Sequence, residues 1–278
     1  MFNKGLLTPN SLAMLSDDKL DTVRRNIMDG QCVWKSLQRK PHDEFKENFD
    51  YYVKNNKGFT LSHIDQFPHK EIIVGCHHYL DGLMIKYGRE NLQVLEHDYT
   101  YYKRLDPDRN FSTVGNLQPN GALVIATPFP GYLGVHPEFN DILKEATEKN
   151  IDIHLDGAWL SCSTGLDIDL STSCIKSIGI SMSKGYHASW NRIGLRYTRS
   201  EDLVDPITIY DRSQMCPWTT AAAGILLLDN VPIDYMWDTY GDRYYQLVKH
   251  FDLEVGNILF SAYGKDRIIY SLKDLLLA

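Results

Sequence analysis

The tetrapeptide Ser181-Met182-Ser183-Lys184 stands eight residues ahead of Arg192-Ile193-Gly194, counted from Lys184 to Arg192. A lysine set among small hydroxyl residues at the end of an apolar strand, 174–180, can hold an aldehyde as a Schiff base if burial keeps its amine deprotonated. The arginine then sits where a dianionic phosphate can be clamped. An aldehyde and a phosphate are the two ends of pyridoxal phosphate, so the spacing predicts a cofactor site in preference to a merely charged loop.

The segment upstream fits the same chemistry. Ile151-Asp152-Ile153-His154-Leu155-Asp156-Gly157-Ala158-Trp159 reads as a buried strand ending in a carboxylate. Open α/β sheets place ligand chemistry at the carboxyl ends of their strands. A carboxylate there can pair with a protonated pyridine nitrogen and hold the ring as an electron sink. Taken singly, Asp156 reads equally as a turn cap and Lys184 as a surface lysine. In this order, about one strand-helix-strand unit apart, they form a constellation.

On these residues the chain resembles the fold type I pyridoxal-phosphate enzymes, and within them the class I and II aminotransferases. The family pattern Asp-x-Ala-Tyr, Ser-x-Ser-Lys, Arg-x-Gly is matched by Asp156-Gly157-Ala158-Trp159, Ser181-Met182-Ser183-Lys184 and Arg192-Ile193-Gly194. The resemblance runs from about residue 72 to 199. It implies that Lys184 carries the cofactor, that Asp156 pairs with the pyridine nitrogen, that Ser181 and Arg192 hold the phosphate, and that Ser183 is among the cofactor-binding residues. It also implies a homodimer.

Glu71-Ile72-Ile73-Val74-Gly75 followed by Cys76-His77-His78, with Leu80, Leu83, Met84 and Tyr87 at one-face spacing, predicts a strand delivering a glycine to a helix N-terminus. Unpaired N–H groups at such an end favour anions. In the family this turn cradles the phosphate, so Gly75, Cys76 and His77 are candidates for it. The strand from Leu92 leads into Tyr99, Tyr101 and Tyr102; the resemblance puts Tyr101 on the cofactor ring and leaves Tyr99 and Tyr102 as ordinary packing residues.

Two departures stand out. Where the family has Asn-Pro-Thr-Gly, this chain has Thr127-Pro128-Phe129-Pro130-Gly131, with no asparagine in register. Trp159 replaces the usual tyrosine; its indole N–H can donate to the ring oxygen but cannot accept, and Thr127 is a candidate second donor. Arg267 lies about where the family binds the substrate carboxylate, with its register to Ser271 displaced, and reads equally as a structural arginine.

The 278 residues are 43% hydrophobic, enough for one large core with a small appendage. No apolar run approaches a membrane span, and the first residues lack a secretory signal's apolar region. Five cysteines form no paired framework or metal spacing, which points to a reducing cytoplasm. A net charge of −7 without a concentrated basic patch argues against a nucleic-acid surface. His77-His78 is a poor chelate, because adjacent residues point to different sides, so no metal is expected. His187 reads as a proton relay or a plain loop histidine.

Alternating strand and helix patterns predict an α/β fold: a mostly parallel sheet with flanking helices, plus a small, curtailed α+β domain. Residues 1–60 form an N-terminal helical segment, starting with a helix capped by Ser16, that serves the small domain or a dimer interface. Residues 61–205 form the large cofactor-binding domain and 206–278 the small one, with helices at 219–228 and 235–251 and strands at 257–262 and 267–272. Phe49, Tyr51, Tyr52 and the aromatic run at 240–245 are candidates to cover the cleft from a second subunit, or to pack within one. The leading reading is an aminotransferase acting on an amino acid and a keto acid. The alternatives are a pyridoxal-phosphate lyase, decarboxylase or racemase, or a degenerate cofactor-binding dimer.

Overall fold

The computed structural model describes residues 7–9, 17–38, 40–99, 101 and 111–277, without the side chains of residues 32 and 38. Ser16 and Tyr102 lie outside the described residues. Three N-terminal helices come first: α1 (Asp18–Asn26), α2 (Cys32–Gln38) and α3 (Pro41–Asn55). Asp17 caps α1 by accepting the Leu20 N–H at 2.8 Å. Its carboxylate also receives the hydroxyls of Tyr235 and Tyr240, which ties the chain's start to its last long helix.

The central sheet is built from β3 (His69–Ile73), β4 (Leu92–Val94), β5 (Ala122–Ala126), β6 (Asp152–Gly157), β8 (Ile175–Ser181) and β9 (Gly194–Thr198), in the order β3-β9-β8-β6-β5-β4. Strands β4, β5, β6 and β8 are mutually parallel. All five residues of β5 are buried, as a strand covered on both faces requires. Helices α4 (Gly75–Tyr87) and α5 (Phe139–Glu148) connect strands; α5 buries Phe139, Ile142, Leu143 and Ala146 as its spacing predicts. The predicted mostly parallel α/β sheet is therefore present, with one reversal. Strand β9 runs antiparallel to both β8 and β3, because the chain returns from β8 through a loop without a crossover helix. A separate parallel pair, β2 (Phe59–Ser62) with β7 (Leu166–Asp169), had no clear sequence signal.

The segment after residue 206 divides. Helix α6 (Pro206–Arg212) packs on β3 and α4, and α7 (Trp218–Asn230) packs on α2 and α3. At Gly224 a Cβ would come within 2.7 Å of the Phe45 ring, so the α7 backbone lies directly on α3. Both helices therefore pack with the large sheet and the N-terminal helices. The second sheet, β1 (Thr8–Pro9), β12 (Ile269–Ser271), β11 (Ser261–Tyr263) and β10 (Glu254–Val255), is antiparallel and is accompanied by α8 (Tyr235–His250) and α9 (Lys273–Leu277). The strand expected at 257–262 starts only at Ser261, since Asn257 is engaged by the Leu133 and Thr164 carbonyls. Phe49, Tyr52 and Tyr244 are core residues of this one subunit and cover nothing outside it.

A buried ion-pair cluster fastens α6 to the sheet edge beside the site. Arg196 on β9 bonds Glu71 on β3 at 2.6 Å and Asp205 at 2.8 Å, and Asp205 caps α6 through the Ile207 N–H at 2.9 Å. The Thr208 hydroxyl donates to Glu71. Substituting Arg196 by Ala leaves Glu71 buried without its cation, so urea denaturation should show a loss of roughly 3–5 kcal/mol. Lys265→Ala, which breaks an exposed pair with Asp252, should cost less than about 1 kcal/mol in the same assay.

Candidate active site

The carboxyl ends of β4, β5, β6 and β8, the N-terminus of α4 and the residues entering β9 meet at a cleft. Asp156, Lys184 and Arg192 all line it, with Cys76, His77, Trp159, Ser181 and Ser183. Residues that lie far apart in sequence thus meet at the strand ends where α/β sheets bind ligands.

Lys184 is held by a loop pressed against the turn at 160–162. Gly185 donates its N–H to the Ser161 hydroxyl at 3.0 Å, and a Cβ on Gly185 would overlap the Ser161 carbonyl. The Ser161 hydroxyl in turn donates to the Ser181 carbonyl at 3.2 Å. The Lys184 ammonium position lies 4.7 Å from the centre of the Trp159 ring. Burial holds the lysine's pKa below its ordinary value, and the Arg192 charge adds to this while Asp156 opposes it. The result favours a neutral, nucleophilic amine.

Asp156 is 3% exposed and accepts the Ala158 N–H at 3.0 Å. Burial pushes its pKa up to about 6, against the bonds from Cys76 and Ala158 and the Lys184 charge. A cation placed against this carboxylate restores its ionised form.

The cleft also has a basic wall. Gly75 opens α4 with φ +70°, and a Cβ there would sit 3.2 Å from an Arg192 guanidinium nitrogen. That left-handed conformation and close approach both call for glycine. Arg192 donates to His77 Nδ1 at 3.2 Å, so this nitrogen is the acceptor and the imidazole is neutral. Burial and then the Arg192 charge depress the His77 pKa, in agreement. His77 Nε2 then donates to the Tyr99 hydroxyl at 3.1 Å.

Three expectations change. Tyr99 lines the cleft, whereas Tyr101 does not; Tyr101 stacks on His77 at 4.2 Å and donates to Asp81 at 3.1 Å. Arg267 is exposed in the turn between β11 and β12, pairs with Glu254 at 3.3 Å and is absent from the cleft lining, so it is not a ligand there. Thr127 is buried outside the lining, and Ala126 and Pro130 occupy that wall. Trp159 directs its ring face toward Lys184. His187 Nε2 lies 3.8 Å from Asp21 on α1, outside the lining. His78 is engaged by the Val74 N–H, and no group of three or more His, Cys, Asp or Glu suited to a metal exists among the described residues. Sequence reasoning overlooked Ala126, Pro130, Ala158 and Ser189 as lining residues. Ser189 was the accessible one, since it stands in the loop between Lys184 and Arg192.

No family model and no curated protein sequence matches this chain. Solved structures do share its fold. An aspartate aminotransferase double mutant from Thermus thermophilus is 13% identical with a TM-score of 0.64, covering 91% of this chain and 75% of that one. A pyridoxal-phosphate-bound C-S lyase from Staphylococcus hominis is 10% identical with a TM-score of 0.62, covering 99% and 88%. An alanine aminotransferase from Pyrococcus furiosus is 14% identical with a TM-score of 0.60, covering 90% and 73%. The chain has the α/β fold of these enzymes.

Proposed function

We propose that this protein is a pyridoxal-phosphate-dependent aminotransferase, with Lys184 as its central residue. The observation that carries the reading is a half-buried lysine of lowered pKa between a buried carboxylate, Asp156, and an arginine-bearing anion pocket. That donor set fits pyridoxal phosphate: the Gly75 cradle, Arg192, Ser181, Ser183 and Ser189 suit the phosphate, and Asp156 suits the pyridine nitrogen. The pyridoxal-phosphate-bound lyase and the aminotransferases of like fold support the same cofactor and an amino-acid substrate.

When bound, the cofactor supplies an electron sink for negative charge at the carbon bearing the amino group. Lys184 Nζ would hold the cofactor through its aldehyde and, once displaced, would be the base that takes the proton from that carbon and delivers it to the former aldehyde carbon, as transamination requires. Its lowered pKa keeps the amine ready for both tasks. Asp156 favours a proton on the ring nitrogen. Arg192 and the α4 N-terminus offset the phosphate charge. Trp159 and Tyr99 form apolar walls that limit water, and Tyr99 takes the stacking role first assigned to Tyr101. A lyase is the second reading, favoured by the C-S lyase of like fold.

The test separates the two ends of the site. Arg192→Ala should weaken pyridoxal-phosphate binding by roughly 2–5 kcal/mol, whereas Asp156→Asn should slow turnover far more than it weakens binding. Amino-acid donors assayed with and without keto acids then distinguish transamination from elimination: the proposal requires turnover to depend on a keto acid. Equal, small effects of both substitutions would contradict the assigned roles.

The homodimer belongs to the same proposal. Trp34 and Leu37 are 70% and 72% exposed on α2, with Met28 and Val33 exposed nearby, and α2 turns its other side to α7. An apolar patch of this kind suits a protein partner, here a second copy of the chain. Light scattering should give a dimer, and Trp34→Lys with Leu37→Lys should shift it to monomer. A wild-type monomer that is fully active with cofactor would refute the dimer.

A further inference from the structure

We propose that Asp98 is a positioning residue of the cleft, a buried carboxylate that ties the Tyr99 wall to the Ala126 wall and sets a second negative charge near Asp156. The proposal rests on the reading of the cleft as a pyridoxal-phosphate site.

Strands β4 and β5 pair in parallel through Val94 and Val124, so the ladder would continue to place residue 96 opposite Ala126. It does not continue. Strand β4 ends at Val94, the Glu96 N–H goes to the Ser112 carbonyl, and His97 takes a left-handed turn with φ 66°. The side chain of Asp98 spans the place where the ladder stops. One oxygen accepts the Ala126 N–H at 3.1 Å, and the other accepts its own neighbour's, the Tyr99 N–H, at 2.6 Å. Ala126 and Tyr99 both line the cleft, so one carboxylate fixes two of its walls.

Asp98 is 6% exposed, and among the described residues no cation acts on it. On β5 it meets the Ala126 amide and on its own turn the Tyr99 amide, and the Asp156 carboxylate of β6 acts on it electrostatically. Burial pushes its pKa up to about 7, the two N–H bonds oppose this, and the Asp156 charge adds to it. A buried carboxylate without a countercharge is costly, and such groups cluster at functional sites. Asparagine cannot replace it, because an amide accepts at one end only and would turn its NH2 toward the second N–H. Protonation of the acid weakens the bond at the protonated oxygen, a poorer acceptor than a carboxylate oxygen. A protonated pyridine against Asp156 offsets that charge, lowers the proton affinity of Asp98 and favours the form that accepts both bonds. Cofactor loading and ionisation of Asp98 are thereby linked.

NMR titration of the cofactor-free protein carrying isotope-labelled aspartate tests this directly. One carboxyl should titrate near pH 7, vanish in Asp98→Asn, and move to lower pH when pyridoxal phosphate is added. Asp98→Asn should also weaken pyridoxal-phosphate binding by about tenfold or more and remove the pH dependence near neutrality, as the loss of a charge-assisted bond predicts. Binding by Asp98→Asn with wild-type affinity and pH dependence would overturn the proposal. Should that variant not fold, the wild-type titration decides: an Asp98 carboxyl that titrates at about 4, its ordinary value, and ignores the cofactor overturns it equally. Wild-type protein that binds no pyridoxal phosphate would instead contradict the cofactor reading, and the proposal would fall with it.

Discussion

The close backbone approach along the loop from β8 to β9 is the constraint on which the site depends. Ser181 and Gly194 are paired across the two antiparallel strands, and a Cβ on Gly194 would overlap the Ile180 carbonyl. Gly185 lies as tightly on Ser161. Two glycines therefore let the return loop close flat on the strand ends, which brings Lys184 and Arg192 to one cleft although the loop between them contains no helix or strand. A crossover helix in this place would have carried the arginine to the far side of the sheet. The reversal of β9 is thus part of the site's construction.

Electrostatics follow from that closure. Burial acts on each ionisable group against its charged form: it lowers the proton affinity of Lys184 and raises that of Asp156 and Asp98. The cleft presents carboxylate character at one end and a guanidinium with a helix N-terminus at the other. A ligand with a basic ring nitrogen and a phosphate relieves both charges at once, beside a lysine whose proton affinity burial has lowered. The Glu71–Arg196–Asp205 cluster keeps β3 and α6 fixed beside the glycine turn, so that the anion-binding end has a rigid edge.

The parts legible in sequence were those with short-range signatures. Continuous apolar runs marked β5, β6 and β8, and spacing marked the buried faces of α4 and α5. The positions of Asp156, Lys184 and Arg192 at strand ends followed from the same runs. What sequence did not reveal depended on long-range pairing. The β2–β7 pair, the reversal of β9 and the packing of α6 and α7 on the large sheet are decided by partners remote in the chain. The choice between Tyr99 and Tyr101 turned on the left-handed residue at His97 and the Asp98 turn, which rotate the following aromatic residues relative to the strand. Arg267 was misplaced for a related reason: its number along the chain fits, but the β11–β12 turn carries it to the surface.

The most direct test of the account is covalent. Protein saturated with pyridoxal phosphate and reduced with borohydride should carry the cofactor's mass on a single peptide, the one containing Lys184, and Lys184→Ala should carry none. Label on a different lysine, or no label in saturated wild-type protein, would contradict the central claim.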